Sequence, residues 1–166
     1  MSVLIEVGLL PGVPDAPGRS TARKIREHLG IAVEEVRTRR LYRIAAELSP
    51  EEAELAAREL FADPVIQRYS VNRPLAAERF DVSLIVAFRP GVTDNVGRTA
   101  SAALQVVLPR LARAGAGELS VQTAAQYLLR GVSRTEAQRI ARELLANELI
   151  ERVSIQDFAE WRAQGS

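Results

Sequence analysis

The chain has 166 residues and a formal net charge of +1, from 22 basic and 21 acidic side chains. Both signs are mixed along the sequence, which gives no electrostatic case for nucleic acid, since phosphate binding needs a concentrated basic face. The absence of cysteine excludes disulfides, thiol catalysis and cysteine–zinc sites, and a lone histidine, His28, leaves little for imidazole chemistry.

Taken in chain order, residues 3–10 alternate, with Val3, Ile5, Val7 and Leu9 on one face, which is the strand pattern. Before it stands only Met1-Ser2, without the basic segment of a signal peptide. No apolar run approaches the roughly 20 residues that span a bilayer. Together these predict a cytoplasmic protein with no membrane partner. Pro11-Gly12 ends the strand, and a helix is expected from Gly18 to Leu29, stopped by Gly30. A second strand follows over about 36–48, with Tyr42, Ile44, Ala46 and Leu48 on one face. Ser49-Pro50-Glu51-Glu52 then reads as a capping box: serine at the N-cap, proline at the first helical position, glutamate at the third. Leu55, Leu60 and Phe61 supply the apolar stripe of that helix, and a third strand is expected over 66–71.

Residues 73–79, with Pro74, read as a linker, after which the order repeats. Val82, Leu84, Val86 and Phe88 form the next alternating strand. Pro90-Gly91-Val92-Thr93-Asp94-Asn95-Val96-Gly97-Arg98-Thr99 then matches Pro11-Gly12-Val13-Pro14-Asp15-Ala16-Pro17-Gly18-Arg19-Ser20 at a constant spacing. Val121-Gln122-Thr123 with Tyr127 echoes Val36-Arg37-Thr38 with Tyr42. Ser133-Arg134-Thr135-Glu136 repeats the capping box, and Arg142-Glu143-Leu144-Leu145-Ala146 repeats Arg58-Glu59-Leu60-Phe61-Ala62. Ile140, Leu144 and Leu145 form the second stripe, and a last strand is expected over 150–155. The spacing grows along the repeat, so a short insertion is placed around 110–117, in an Ala/Gly-rich turn. Residues 156–162, with Phe158 and Trp161, read as a short amphipathic docking helix. The fold class is therefore α+β: two tandem β-α-β-α-β units, 1–75 and 80–166, whose helices lie on one side of an antiparallel or mixed sheet. A unit of this size buries only about 60% of its unfolded surface and is marginal alone, so the two are expected to pack together.

The repeated Pro-Gly-Val-x-Asp-x-x-Gly-Arg loop is the strongest local feature. Glycines before a helix N-terminus, with Arg19 or Arg98 beside them, suit a phosphate held by backbone N–H groups. The simpler reading is structural: Gly12 and Gly91 turn the chain, and Asp15 and Asp94 brace it. Neither loop ends in the Gly-Lys-Ser/Thr of a phosphate loop. His28 lies near a helix C-terminus, where a cation is favourable without any further role. Glu34 with Glu35, and Glu51 with Glu52, are adjacent pairs that do not face each other on a helix. No Gly-x-Ser-x-Gly elbow occurs. Arg37-Thr38-Arg39-Arg40, the only dense basic cluster, reads as a charged strand edge that resists aggregation or as a docking patch. Segment 139–155 has the helix-then-strand outline of a winged-helix DNA binder, against which stand the mixed charge and the same pattern in the first copy. No constellation supports catalysis, which leaves a binding or assembly module.

A strand followed by Pro-Gly-Val-x-Asp-x-x-Gly and a helix resembles PurS, the small subunit of bacterial phosphoribosylformylglycinamidine (FGAM) synthase. Phe88-Arg89-Pro90-Gly91-Val92-Thr93-Asp94-Asn95-Val96-Gly97-Arg98-Thr99-Ala100 is similar to the N-terminal region of the long, single-chain form of that enzyme (PurL). Residues 59–71 share the family's look. The resemblance implies a PurS-like fold related to the ferredoxin-like one, here as a covalent pseudo-dimer. It implies a component of an ATP- and glutamine-dependent ligase in purine biosynthesis, bridging its synthetase domain and its glutaminase subunit. No cofactor is expected on this chain; ATP and Mg belong with the synthetase. Arg19, Arg89, Gly91, Asp94, Gly97 and Arg98 are the candidate contacts to a partner or a phosphate. If one copy meets the catalytic partner, the second, with its fuller loop, is expected to do so. Association of two chains into a homo-oligomer is left open. The alternative from another class is a small-molecule-binding regulatory module built of tandem ferredoxin-like units.

Overall fold

Among the described residues every strand finds its partner antiparallel, and the two copies merge into one sheet. The computed structural model describes residues 2–113 and 119–164. The elements run β1 (Ser2–Leu9), α1 (Ala16–Leu29), β2 (Glu35–Ala45), α2 (Pro50–Ala56) and β3 (Gln67–Val71), then β4 (Val82–Phe88), α3 (Asn95–Val107), β5 (Ser120–Arg130), α4 (Arg134–Ile140), β6 (Glu151–Asp157) and α5 (Phe158–Ala163). The sheet order is β3-β1-β2-β5-β4-β6. This is the α+β arrangement expected, with β2 and β5 joining the copies along eleven residue pairs from Glu35↔Arg130 to Ala45↔Ser120. At the middle of that ladder Arg40 faces Ala125, its own counterpart in the repeat, and Thr38 faces Tyr127 as Tyr42 faces Thr123. A pseudo-two-fold axis therefore passes between Arg40 and Ala125, as in an isologous dimer interface.

Helix boundaries follow their capping chemistry. The Ser49–Glu52 and Ser133–Glu136 boxes form reciprocally as read from the sequence, each satisfying two otherwise orphaned N–H groups. α1 and α3 begin two residues before the expected glycine, because Asp15 and Asp94 are the N-caps. Gly30 ends α1 with φ of 65°, a left-handed conformation that favours glycine. α2 and α4 each widen into a five-residue π-turn, Ala57–Phe61 and Ala141–Leu145, for which the sequence carries no signal. β2 stops at Ala45, so Ala46 and Leu48 lie beyond the strand although both pack on the core. The insertion placed at 110–117 begins in a short 3-10 turn, Pro109–Ala112, and its residues 114–117 lie outside the described residues.

The hydrophobic cores do not respect the repeat. One combines Ile5, Ile44, Ala56 and Phe61 from the first copy with Leu104, Leu108, Leu111 and Val121 from the second. The other combines Ala22, Ile25 and Val36 with Leu84, Leu129, Ala137 and Ile140. Each first helix thus seals the other copy's core. Fully burying one such isoleucine or leucine contributes about 1.5–3 kcal/mol, so the exchange binds the halves together strongly. Two polar links follow the same path: Arg110 donates to both Glu52 oxygens at 2.6 and 2.7 Å, and Arg139 donates to the Leu29 carbonyl at 3.0 Å.

The opposite face of the sheet is covered by the segment between the copies and by α5. The segment is not a free linker: Leu75 and Phe80 are buried, and Phe80 packs edge-on against Phe158 and Trp161 with Leu128 beneath. The docking helix expected at the C-terminus is α5, capped by Asp157 and Glu160. Among the described residues no helix is long and apolar enough to cross a membrane.

Candidate functional site

The repeated loop is built the same way in both copies. Asp15 Oδ1 accepts the Gly18 N–H at 2.8 Å, while its two oxygens accept the Thr38 N–H at 2.6 Å and the Thr38 hydroxyl at 3.0 Å. Asp94 holds Gly97 and Thr123 with the same set at 2.7–3.1 Å. One carboxylate thereby caps the helix and ties it to the strand that joins its unit to the other, β2 or β5. A Cβ at Gly18 would stand 2.2 Å from the Val36 carbonyl oxygen, and one at Gly97 2.0 Å from that of Val121. Only glycine lets helix and strand approach so closely. Gly12 and Gly91 hold φ of 83° and 87° in the preceding turn. In the first copy Asp15 takes the Gly18 N–H with its side chain and the Arg19 N–H with its carbonyl, and Pro17 has none to give. The motif accounts for itself as a structural lock.

The chemistry lies beside the first of these loops. A cavity of about 320 Å³ opens on the sheet face opposite the helices, between the 11–14 turn and the segment joining the copies. Arg19, Arg37, Arg39, Arg68, Arg79 and Arg130 line it, against Glu35 and Glu78 as its acidic residues. The register explains the convergence. Gly8 of β1 pairs with Arg39 on one side and Arg68 on the other, so two guanidinium stems flank a residue with no side chain. A Cβ at Gly8 would already crowd Leu75 at 3.2 Å and Arg39 at 3.4 Å. Arg39 is buried at 8% exposure and donates to the Leu75 and Ala76 carbonyls. Arg68 donates to the Ala76 carbonyl at 2.7 Å, and its Nε is buried without a partner. Arg37 reaches the Val13 carbonyl at 3.2 Å. Arg130 lies 3.3 Å from Glu34 and 3.7 Å from Glu35. Arg79 stands 5.7 Å over the Phe158 ring.

Electrostatics mark this corner as strained. Burial brings the Arg39 guanidinium down to about 10, and the neighbouring cations Arg68 and Arg37 push the same way, while Glu6 opposes them. Burial likewise raises the Glu6 carboxyl, against the pull of Arg39 and the Leu75 N–H. At neutral pH Arg39 remains charged and sits among like charges.

The six residues singled out in the sequence fall in two places. Arg19 joins the cavity. Asp94 and Gly97 meet in the second loop lock, with Gly91 in the turn before it. Arg98 is exposed, and Arg89, also exposed, donates to the Glu148 carbonyl at 2.8 Å. The basic cluster 37–40 requires a correction: β2 is not a strand edge, since it is paired on both sides by β1 and β5. The edges are β3 and β6. Arg68, Arg79 and Arg130 were not anticipated, because they reach the site from β3, the joining segment and β5. The spacing of Arg37 and Arg39 was the available signal: residues two apart on a strand share a face.

Residues 2–74 match the family model described as PurS: Phosphoribosylformylglycinamidine (FGAM) synthase. The first repeat is a PurS-like unit, and the sheet carries a second unit of the same architecture beside it. At the family level the match supports a role in FGAM synthase, and so in purine biosynthesis. No curated protein matches the chain.

Proposed function

We propose that this chain is a non-catalytic assembly component of FGAM synthase, as a free subunit or as the N-terminal region of the long enzyme. In that role it bridges the synthetase domain, which holds ATP and Mg, and the glutaminase subunit, and it helps keep ammonia from escaping between them. The observation that carries the reading is the PurS match over 2–74 together with its structural repetition about a pseudo-two-fold axis. Two interlocked units on one rigid sheet present equivalent surfaces at a fixed separation, which is what a bridge between two different partners needs. Val65 and Leu149, 78% and 86% exposed at equivalent turns, are apolar contacts such a scaffold offers at its two edges.

Reconstitution tests it. Glutamine-dependent amidation is measured with the synthetase and glutaminase components, with and without this chain, alongside size-exclusion chromatography of the mixture. Stimulation together with co-elution is expected. An unchanged rate with no complex overturns the assembly role.

A further inference from the structure

The arginine-lined cavity has no duplicate. The counterparts of Gly8, Arg37 and Arg39 in the second copy are Ala87, Gln122 and Ala124, and the counterpart of Arg130 across the pseudo-two-fold is Ala45. Only Arg19 and Arg68 keep an arginine, as Arg98 and Arg152. The segment carrying Arg79 occurs once. A structural requirement of the fold would have produced the cluster twice, as it produced the aspartate lock twice. The cluster is therefore an addition that the repeated fold does not require.

We infer that this cavity binds a small phosphate-bearing molecule. The six guanidiniums and two carboxylates leave a local surplus of positive charge around one concave space. The Arg19 guanidinium makes no hydrogen bond or ion pair among the described residues, and Arg68 leaves Nε unused. Planar guanidinium forks suit phosphate oxygens, and a doubly charged phosphate fills more of these donors in a small volume than one carboxylate does. The cavity lies at the lower end of the range for small-molecule sites, and Leu9, Val13 and Leu128 give it an apolar wall for the rest of the ligand. An acidic protein segment fits less well, since the rim already carries Glu35 and Glu78. Mutual repulsion among Arg37, Arg39 and Arg68 is relieved by an anion between them, so part of the cost of assembling the site is returned on binding. The inference does not depend on the bridging role, because binding is a property of the isolated chain.

Calorimetric titration of the full chain with inorganic pyrophosphate and with AMP is the test. Both are repeated on Arg19→Gln, Arg37→Gln and, as the control from the second loop, Arg98→Gln. Binding is expected for the parent chain and Arg98→Gln. At least tenfold weakening is expected in Arg19→Gln and Arg37→Gln, with affinity falling as salt rises. Arg37→Gln installs the residue that the second copy uses at this place; Arg19→Gln alters an exposed side chain and leaves the fold intact in any case. Tighter binding of AMP than of pyrophosphate assigns the apolar wall to a nucleoside, and the reverse assigns the site to the phosphate group alone. No binding of either probe, equal loss in Arg98→Gln, or binding of polyglutamate in place of both overturns the inference.

Discussion

Replacing Asp15 by alanine tests whether the repeated motif is a lock. Asp15 is 3% exposed and accepts the Gly18 and Thr38 N–H groups and the Thr38 hydroxyl. Losing an N-cap costs about 1 kcal/mol, within a range of about 0.5–2. Leaving the Thr38 N–H unpaired in a buried setting costs a further ~1–3 kcal/mol. Asp15→Ala should therefore destabilise the chain by about 2–5 kcal/mol, a large part of the ~5–15 kcal/mol of a typical domain. Asp15→Asn keeps the shape and the cap but turns an amide N–H₂ toward the Thr38 N–H, so about 1–3 kcal/mol is expected from the opposed donors. Equilibrium urea unfolding followed by far-UV circular dichroism measures both, with Asp94→Ala as the second lock and exposed Glu27→Ala as the control. If Asp15→Ala loses less than about 1 kcal/mol and cannot be told from Glu27→Ala, the lock is not what joins helix to strand.

Two further outcomes are expected. The Glu52 carboxyl is held down to about 2, first by the Arg110 side chain and then by the Ser49 N–H. A carboxyl lowered in the folded state stabilises it at pH values above its unfolded range near 4.3, and that stabilisation is lost as pH falls toward 2. The difference in urea midpoint between the parent chain and Glu52→Gln should therefore narrow from pH 7 to pH 2. It should stay modest, because both partners are partly solvated; a gap independent of pH removes the ion-pair account. Segments 2–75 and 80–164, produced separately, should each fail to melt cooperatively as monomers and should regain a cooperative transition when mixed. A monomeric, cooperatively folding half would contradict the exchange of Leu104 and Ile25 between the cores.

Local structure was written plainly in this sequence because its signals are local. Ser49-Pro50-Glu51-Glu52 needs only its own hydrogen bonds to start a helix, and Val3, Ile5 and Val7 need only a sheet to lie on. The shared cores were not legible: nothing in the spacing of Leu104 and Leu108 says which copy's strands they will cover. The cavity was half legible. Arg37 and Arg39 advertise a common face, but which strand lies beside them is a matter of topology, and an edge strand and a central one read alike when the partner is 85 residues away. The loop motif looked chemical because glycine, aspartate and arginine recur there. In the folded chain the aspartate is spent on the strand, and only Arg19 is left facing a cavity.

The position of the axis gives the asymmetry a physical reason. In a two-fold pair of identical units, a residue on the axis meets itself, so an arginine at position 40 would face a second arginine directly across the ladder, and like charges placed opposite destabilise a sheet. One chain containing both units escapes that condition: Arg40 faces Ala125. The same freedom allows Arg39 and Arg37 to stand near Arg130 while their counterparts are Ala124, Gln122 and Ala45. A symmetric dimer would have to build two such arginine clusters on one sheet face, each with its own burden of buried like charge. Here the burden falls once, and the segment joining the copies, which also exists once, supplies the Leu75 and Ala76 carbonyls that receive Arg39. The covalent link is thus part of the site it borders, and a pair of separate units could not reproduce it.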